Sequence, residues 1–196
     1  MRALILSDEK PKESLLKLAQ DCEIIIVLGD LFYSDLEELK DIDPPKIGIH
    51  GNHDYDKRYN LNQEDFFPKI AITDLHLKTY KFKNLTFSGF KGDMEYVFAE
   101  NHVPYPGKEL DFNKYNQELA KLKDLPKADV FITHGPSLNT LDIRCALGHN
   151  GLKAFRGYID RVKPKYHLHG HTHRPGQAEI ADTKVYCVCP FQILDI

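Results

Sequence analysis

Apolar residues in this chain come in short runs of two kinds. "RALILS" (2–7), "EIIIVLGD" (23–30) and "PKIGIHGN" (45–52) are near-continuous aliphatic runs that give way to small or polar residues, and each predicts a strand. Between them, "PKESLLKLAQ" (11–20), with Pro11 in its first turn, and "DLEELK" (35–40) carry the spacing of amphipathic helices. The order is βαβαβ, and strands that are apolar on both faces predict a parallel sheet covered on both sides. The rhythm then changes. "LHLKTYKFKNLTFSGF" (75–90) alternates on either side of a turn at Lys83 and Asn84, the pattern of an antiparallel hairpin. After a loop with Pro104, Pro106 and Gly107 come a helix (113–123), a strand (128–135), a further helix (152–162), the strand "KYHLHG" (165–170) and "TKVYCVC" (183–189), expected to close the chain as a strand. There is no internal repeat or low-complexity linker. The sum is an α/β fold with an antiparallel middle.

Polar residues with metal-binding chemistry fall just past the ends of these strands. Asp8 follows "LILS", Asp30 follows "IVLG", Asn52 and His53 follow "IGIHG", His134 follows "VFIT", and His171 and His173 follow "HLHG". In a largely parallel sheet the C-terminal strand ends share one edge, where open α/β folds build their sites. In "HLHGHTHRP" (167–175) Gly170 ends the strand and leaves His171 and His173 on a loop. That pair fits metal ligation and solvated loop histidines equally well. Asp30 by itself reads as a helix cap, and Asn52 by itself as a turn residue. Coincidence accounts poorly for five strands each delivering a ligand-type side chain to one rim.

Composition narrows the classes without choosing among them. A chain of 196 residues, 42% of them hydrophobic, fits one domain spanning 1–196. A formal charge of −3 gives no basic surface for nucleic acid, which is not announced as a partner but not excluded as a substrate. The apolar run before Ser7 is too short for a signal peptide or a membrane span, so a cytoplasmic protein with no membrane partner is expected. Cys22, Cys145, Cys187 and Cys189 are few, as in reduced cytoplasmic chains. Cys187 and Cys189 would share a strand face and could ligate a soft metal, but packing is the favoured reading.

"SD" (7–8), "GD" (29–30), "GNHD" (51–54), "THG" (133–135) and "GHTH" (170–173), in this order, resemble the motifs of the calcineurin-like metallophosphoesterases. The segment from Thr133 to Gly176 is further similar to the small single-domain phosphodiesterases of that family. The resemblance implies two mixed β-sheets packed face to face with flanking helices, a four-layer α/β sandwich. Carried over by motif position, Asp30 bridges two metal ions, Asp8 and His173 complete the first, and Asn52, His134 and His171 complete the second. Such mixed ligands suit divalent transition ions, manganese, iron or zinc. Two of them can activate water and clamp a phosphoryl group for in-line attack. His53 is expected to be the general acid, with Asp54 either orienting its ring or serving as a turn acceptor. Arg144, His149 and Lys10 are the candidate substrate contacts, each weighed against a solvated loop charge.

One departure stands out. The family's Asp-x-His is Asp8-Glu9-Lys10 here. An ammonium has no lone pair to donate, so one tightly bound ion and a second that is weak or absent are expected, with Lys10 pairing with Asp8 or Asp30. The other possibility is that Lys10 turns to solvent. The function implied is hydrolysis of a small phosphate ester, a diester before a monoester, through metal-activated water. The competing reading is a catalytically impaired scaffold of the same fold that binds protein partners.

Overall fold

A computed structural model of the protein describes residues 1–54, 58–61, 63–92, 94–107, 109–143 and 147–196. Arg144 and Cys145 lie outside the described residues. The first strand shows how the layers arise. In β1 (Arg2–Leu6) the four residues Ala3 to Leu6 are all fully buried, because alternate side chains enter different cores. Ala3 and Ile5 meet Val130, Ile132 and Leu168 of a facing sheet. Leu4 and Leu6 meet Leu15, Leu36 and Phe66 of a helical layer. Each such aliphatic side chain contributes about 1.5–3 kcal/mol when fully buried.

Among the described residues the strands form two mixed sheets. The first has the order β11-β1-β2-β3-β4. In it β1, β2 (Ile24–Val27), β3 (Lys46–Gly48) and β4 (Ile72–Asp74) run parallel, and β11 (Phe191–Asp195) lies antiparallel on β1. The second has the order β5-β6-β7-β8-β10-β9. Its strands are β5 (Thr79–Phe82), β6 (Leu85–Phe90), β7 (Val130–Thr133), β8 (Tyr166–His169), β9 (Gly176–Ile180) and β10 (Thr183–Cys187). Outside the first sheet lie α1 (Leu15–Leu18), α2 (Tyr33–Leu36) and α3 (Gln63–Lys69). Outside the second lie α4 (Met94–Glu100), α5 (Phe112–Ala120) and α6 (Lys153–Val162), whose Phe155, Tyr158 and Ile159 pack on Phe131 and Val185. This is the four-layer sandwich expected from the motifs.

Several expectations need correction. The antiparallel middle is confined to the β5–β6 hairpin, since β6, β7, β8 and β10 are mutually parallel. The helix expected over 11–20 has one turn, Leu15–Leu18, because Ser14 is extended and its hydroxyl bonds Glu38 rather than capping the helix. The last strand expected over 183–189 stops at Cys187, and the chain crosses back to the first sheet as β11. Both β9 and β11 are antiparallel neighbours whose residues are mostly half-buried or exposed, so neither has the continuous apolar run of an inner strand. Among the described residues, no helix is long and apolar enough to cross a membrane.

Candidate metal centre

The ends of β1, β2 and β3 from one sheet and of β7 and β8 from the other open onto one rim, and backbone bonds sew them together. The Gly170 amide donates to the His134 carbonyl at 2.9 Å, and the Asp8 amide donates to the Gly29 carbonyl at 3.1 Å. Of the six candidate ligands, four have left-handed backbone: Asp8 (φ 66°), Asp30 (57°), His171 (67°) and His173 (52°). A non-glycine residue in that region costs on the order of 1 kcal/mol or more, and such strain clusters where geometry serves a site. Gly51 is required for a different reason: a methyl there would run into the Asp30 carboxylate.

His134 sits at the centre, only 1% exposed. Its Nδ1 is 2.8 Å from the Leu28 carbonyl, which can only accept, so Nδ1 carries the hydrogen and Nε2 faces the rim. Three acceptor atoms surround that Nε2: Asn52 Oδ1 at 3.0 Å, His171 Nδ1 at 3.1 Å and Asp30 Oδ2 at 3.3 Å. The His171 ring is oriented in the same manner, with Nε2–H donating to the Gly148 carbonyl at 2.7 Å and its Nδ1 lone pair left toward the cage. Ring nitrogens fixed by backbone carbonyls are the usual support of metal-binding imidazoles. Ligands held about 2.0–2.2 Å from one tetrahedral ion stand roughly 3.4 Å apart, so the spacings around His134 Nε2 are those of a ligand shell drawn slightly inward.

The charges act in the same sense. Burial works to raise the Asp30 carboxyl, but the His134 imidazole and the His53 amide outweigh it and hold it well below the usual carboxylate range. Burial works to lower His134, yet the Asp30 carboxylate raises it to about 9. Asp30 thus draws a proton onto Nε2, and the same attraction and lone pair serve a divalent cation in its place. Burial and the His134 charge push His171 down to about 3, leaving its ring neutral and its lone pair available. The residues present therefore fit a divalent ion held by Asp30, Asn52, His134 and His171.

A second cluster adjoins the first. Both oxygens of Asp8 accept from the His171 amide, at 2.9 and 3.0 Å. Oxygen, nitrogen and sulfur of Asp8, His173 and Cys189 lie within 4.8 Å of one another, as do the ligand atoms of Asp30, His134 and His171. Burial and the carboxylates of Asp8 and Glu9 push the Cys189 thiol up to about 12, so it is protonated at neutral pH, and a coordinated cation is what removes such a proton. The sequence favours packing for Cys189, with soft-metal ligation as the alternative. "YCVCP" placed it on a strand face with Cys187, but only the crossing from β10 to β11 brings it beside Asp8.

The remaining expected residues are placed as follows. His53 is exposed at the rim, its amide donating to Asp30 Oδ1 at 2.7 Å. Asp54 does not orient it. The Asp54 carboxylate is 1% exposed and accepts from the amides of Leu31 (3.2 Å) and Gly51 (2.8 Å) while facing His50 Nδ1 (3.2 Å), so it fastens the β2 and β3 loops to each other. His149 stacks on His171 with ring centroids 4.7 Å apart, and burial keeps it below its usual pKa. Lys10 is exposed on the Glu38 side, where it helps lower that carboxyl. The charges acting on Asp8 are those of His134 and His173, and on Asp30 those of His134 and His53. His167 and His169 point away from the rim into the helix-side layer, where His167 stacks on Phe131 and its Nε2 meets the Thr133 hydroxyl at 2.9 Å.

The geometry has counterparts in known proteins. Phosphopantetheinyl hydrolase from Mycobacterium tuberculosis superposes with a TM-score of 0.60 at 13% identity, over 94% of this chain and 87% of that one. An archaeal phosphodiesterase superposes at 0.54 with 17% identity, over 100% and 93%. GAP50, described as the anchor in the inner membrane complex of Plasmodium, superposes at 0.58 with 12% identity, over 95% and 70%. Identities this low establish a common fold and nothing finer. No curated protein matches the sequence. A sequence profile of calcineurin-like phosphoesterases matches residues 2–175, a span that holds the five motifs and every ligand of the His134 cage. The two-sheet sandwich, the cage at its rim and the profile agree, and the chain belongs to the calcineurin-like phosphoesterase family.

Proposed function

We propose that this chain, as one domain of 196 residues, hydrolyses a small phosphate diester with the help of divalent transition-metal ions, manganese, iron or zinc. The observation that carries this reading is the cage around His134 Nε2, with Asn52, His171 and Asp30 at 3.0–3.3 Å. Asp30, Asn52, His134 and His171 would hold such an ion, which would supply Lewis acidity for the phosphoryl group and lower the pKa of water so that hydroxide is available at neutral pH. Everything else is done by the chain. Asp30 holds a carboxylate at the cage, one oxygen on the His53 amide and the other facing His134. The backbone carbonyls of Leu28 and Gly148 keep both imidazole lone pairs aimed inward. His53 stands at the open side of Asp30 and donates a proton to the departing ester oxygen, while Asp54 keeps its loop in place. His149, stacked on His171, is a proposed substrate contact, as is Arg144, which lies outside the described residues. Beside the cage lies a narrow recess lined by Met94, Val97, Leu152 and Phe155, with room for about one water molecule. The diester preference follows the resemblance of the segment from Thr133 to Gly176 to small single-domain phosphodiesterases.

The competing reading is a scaffold without catalysis, supported by the fold's occurrence in an anchor protein and by the exposed Lys10 at the position of a family imidazole. The intact cage favours the enzyme. Protein stripped by chelator and reloaded with manganese, nickel, iron or zinc is expected to cleave bis-p-nitrophenyl phosphate faster than p-nitrophenyl phosphate. Metal-loaded protein that turns over neither compound hands the assignment to the scaffold.

A further inference from the structure

Cys187 and Cys189 are both buried, but their thiols have different neighbours. The Cys187 thiol is engaged inside the second sheet, 3.1 Å from the Thr172 hydroxyl and 3.6 Å from the Gly170 carbonyl. Cys189 lies on the crossing between the sheets, a segment fixed on both sides: the Val188 amide donates to the His169 carbonyl at 2.7 Å, and the Pro190 carbonyl accepts from the Ser7 amide at 3.1 Å. Those two bonds set the thiol between the β8 loop, which carries His173, and the end of β1, which carries Asp8. The three ligand atoms lie within 4.8 Å of one another. Three different donors from three separated stretches of sequence converge there, beside a first motif that carries the exposed Lys10 where the family pattern has an imidazole.

We propose that the Cys189 thiolate is a ligand of the first metal position, giving an Asp8–His173–Cys189 site that selects zinc over manganese. The inference rests on the metallophosphoesterase reading of the neighbouring cage. A thiolate is a soft ligand and prefers zinc or copper(I) to the hard ions that carboxylate, carbonyl and water favour. On binding, the S–H bond breaks, the proton passes to bulk water, and a sulfur lone pair forms the bond to zinc; nothing is oxidised or reduced. The two neighbouring positions then differ in kind: an oxygen and nitrogen cage at His134, and a sulfur-containing site at Asp8. The first position is weak for manganese and strong for zinc.

X-ray absorption at the zinc edge of the full chain, stripped and reloaded with two equivalents of zinc, reads this directly. The expected spectrum has a sulfur shell at about 2.3 Å beside nitrogen and oxygen at about 2.0–2.2 Å. The sulfur shell is expected to vanish in Cys189→Ser and to persist in Cys187→Ser. Competition with a chromogenic chelator is expected to show one of the two zinc ions weakened roughly 10- to 100-fold or more in Cys189→Ser, since even loss of a supporting partner costs that much. The wild-type spectrum is decisive even if a variant fails to fold. Zinc bound with nitrogen and oxygen alone, or a sulfur shell that survives in Cys189→Ser, overturns the thiolate ligand and leaves the cage standing. Failure to bind zinc at all overturns both readings.

Discussion

The working part of His134 and of His171 is a lone pair whose direction is set by a backbone contact. His134 and His171 each spend one ring nitrogen on a carbonyl, and the other faces the cage. His53 differs. Its ring is exposed, and only its amide is tied down, to Asp30. A side chain so placed can move a proton without holding the metal. His53→Ala is therefore expected to keep its metal content, read by elemental analysis, while kcat falls roughly 10²- to 10⁴-fold, the usual worth of a positioned acid. Parallel loss of metal would show that His53 is a ligand. Lys10 reads differently at this scale from the sequence alone. The two-residue step from Asp8 puts the pair on one side only if the strand continues, and Asp8 is left-handed, with φ 66°. The strand has ended, and Lys10 is exposed.

At the scale of elements, the site is made by strands that stop abruptly. The β8 strand ends at His169, and Gly170 then lets the chain pass against the end of β1. A methyl at Gly170 would collide with the Ser7 hydroxyl and come within 2.6 Å of Asp8 Oδ2. Gly170→Ala is expected to displace Asp8 and weaken the zinc at the first position about 10- to 100-fold while the His134 cage keeps its ion. Zinc titration followed by elemental analysis checks this; two equivalents held as tightly as in the wild type would refute it.

Across the whole molecule, the site exists because two sheets present their ends on the same side. The facing surfaces are apolar, with Ile5, Ile26 and Ile47 of one against Phe87, Val130 and Ile132 of the other, and this fixes how the rims meet. Burial has a cost on the helix side. His167 is fully buried against Phe131 and Thr133, and burial holds its pKa well below 6.5. The folded chain keeps this ring neutral while the unfolded chain protonates it below about pH 6.5, so unfolding gains a proton and stability falls as pH drops through that window. Above pH 6.5 both states are neutral and the effect is absent. Urea unfolding of the chelated protein is expected to show a loss of up to about 2 kcal/mol from this group between pH 7.5 and pH 5. The loss is expected to shrink in His167→Gln. An equal acid loss in that variant would place the sensitive group elsewhere.

Sequence alone determined the inner strands and pointed to most of the candidate ligands. Continuous aliphatic runs have few ways to be buried, and "GNHD" and "GHTH" place ligand side chains immediately after such runs, where chain direction dictates the rim. The edge strands β9 and β11 were not legible, since a half-exposed antiparallel neighbour needs no apolar run and takes its pairing from the strand beside it. Only the tertiary structure decided the directions of three side chains. Asp54 turned inward because Leu31 and Gly51 present buried amides that need an acceptor, and Lys10 turned outward because β1 had ended. Cys189 came to Asp8 because the chain must cross from the end of β10 to reach β11, a path set by which sheet has room for the last strand and not by any residue within "YCVCP".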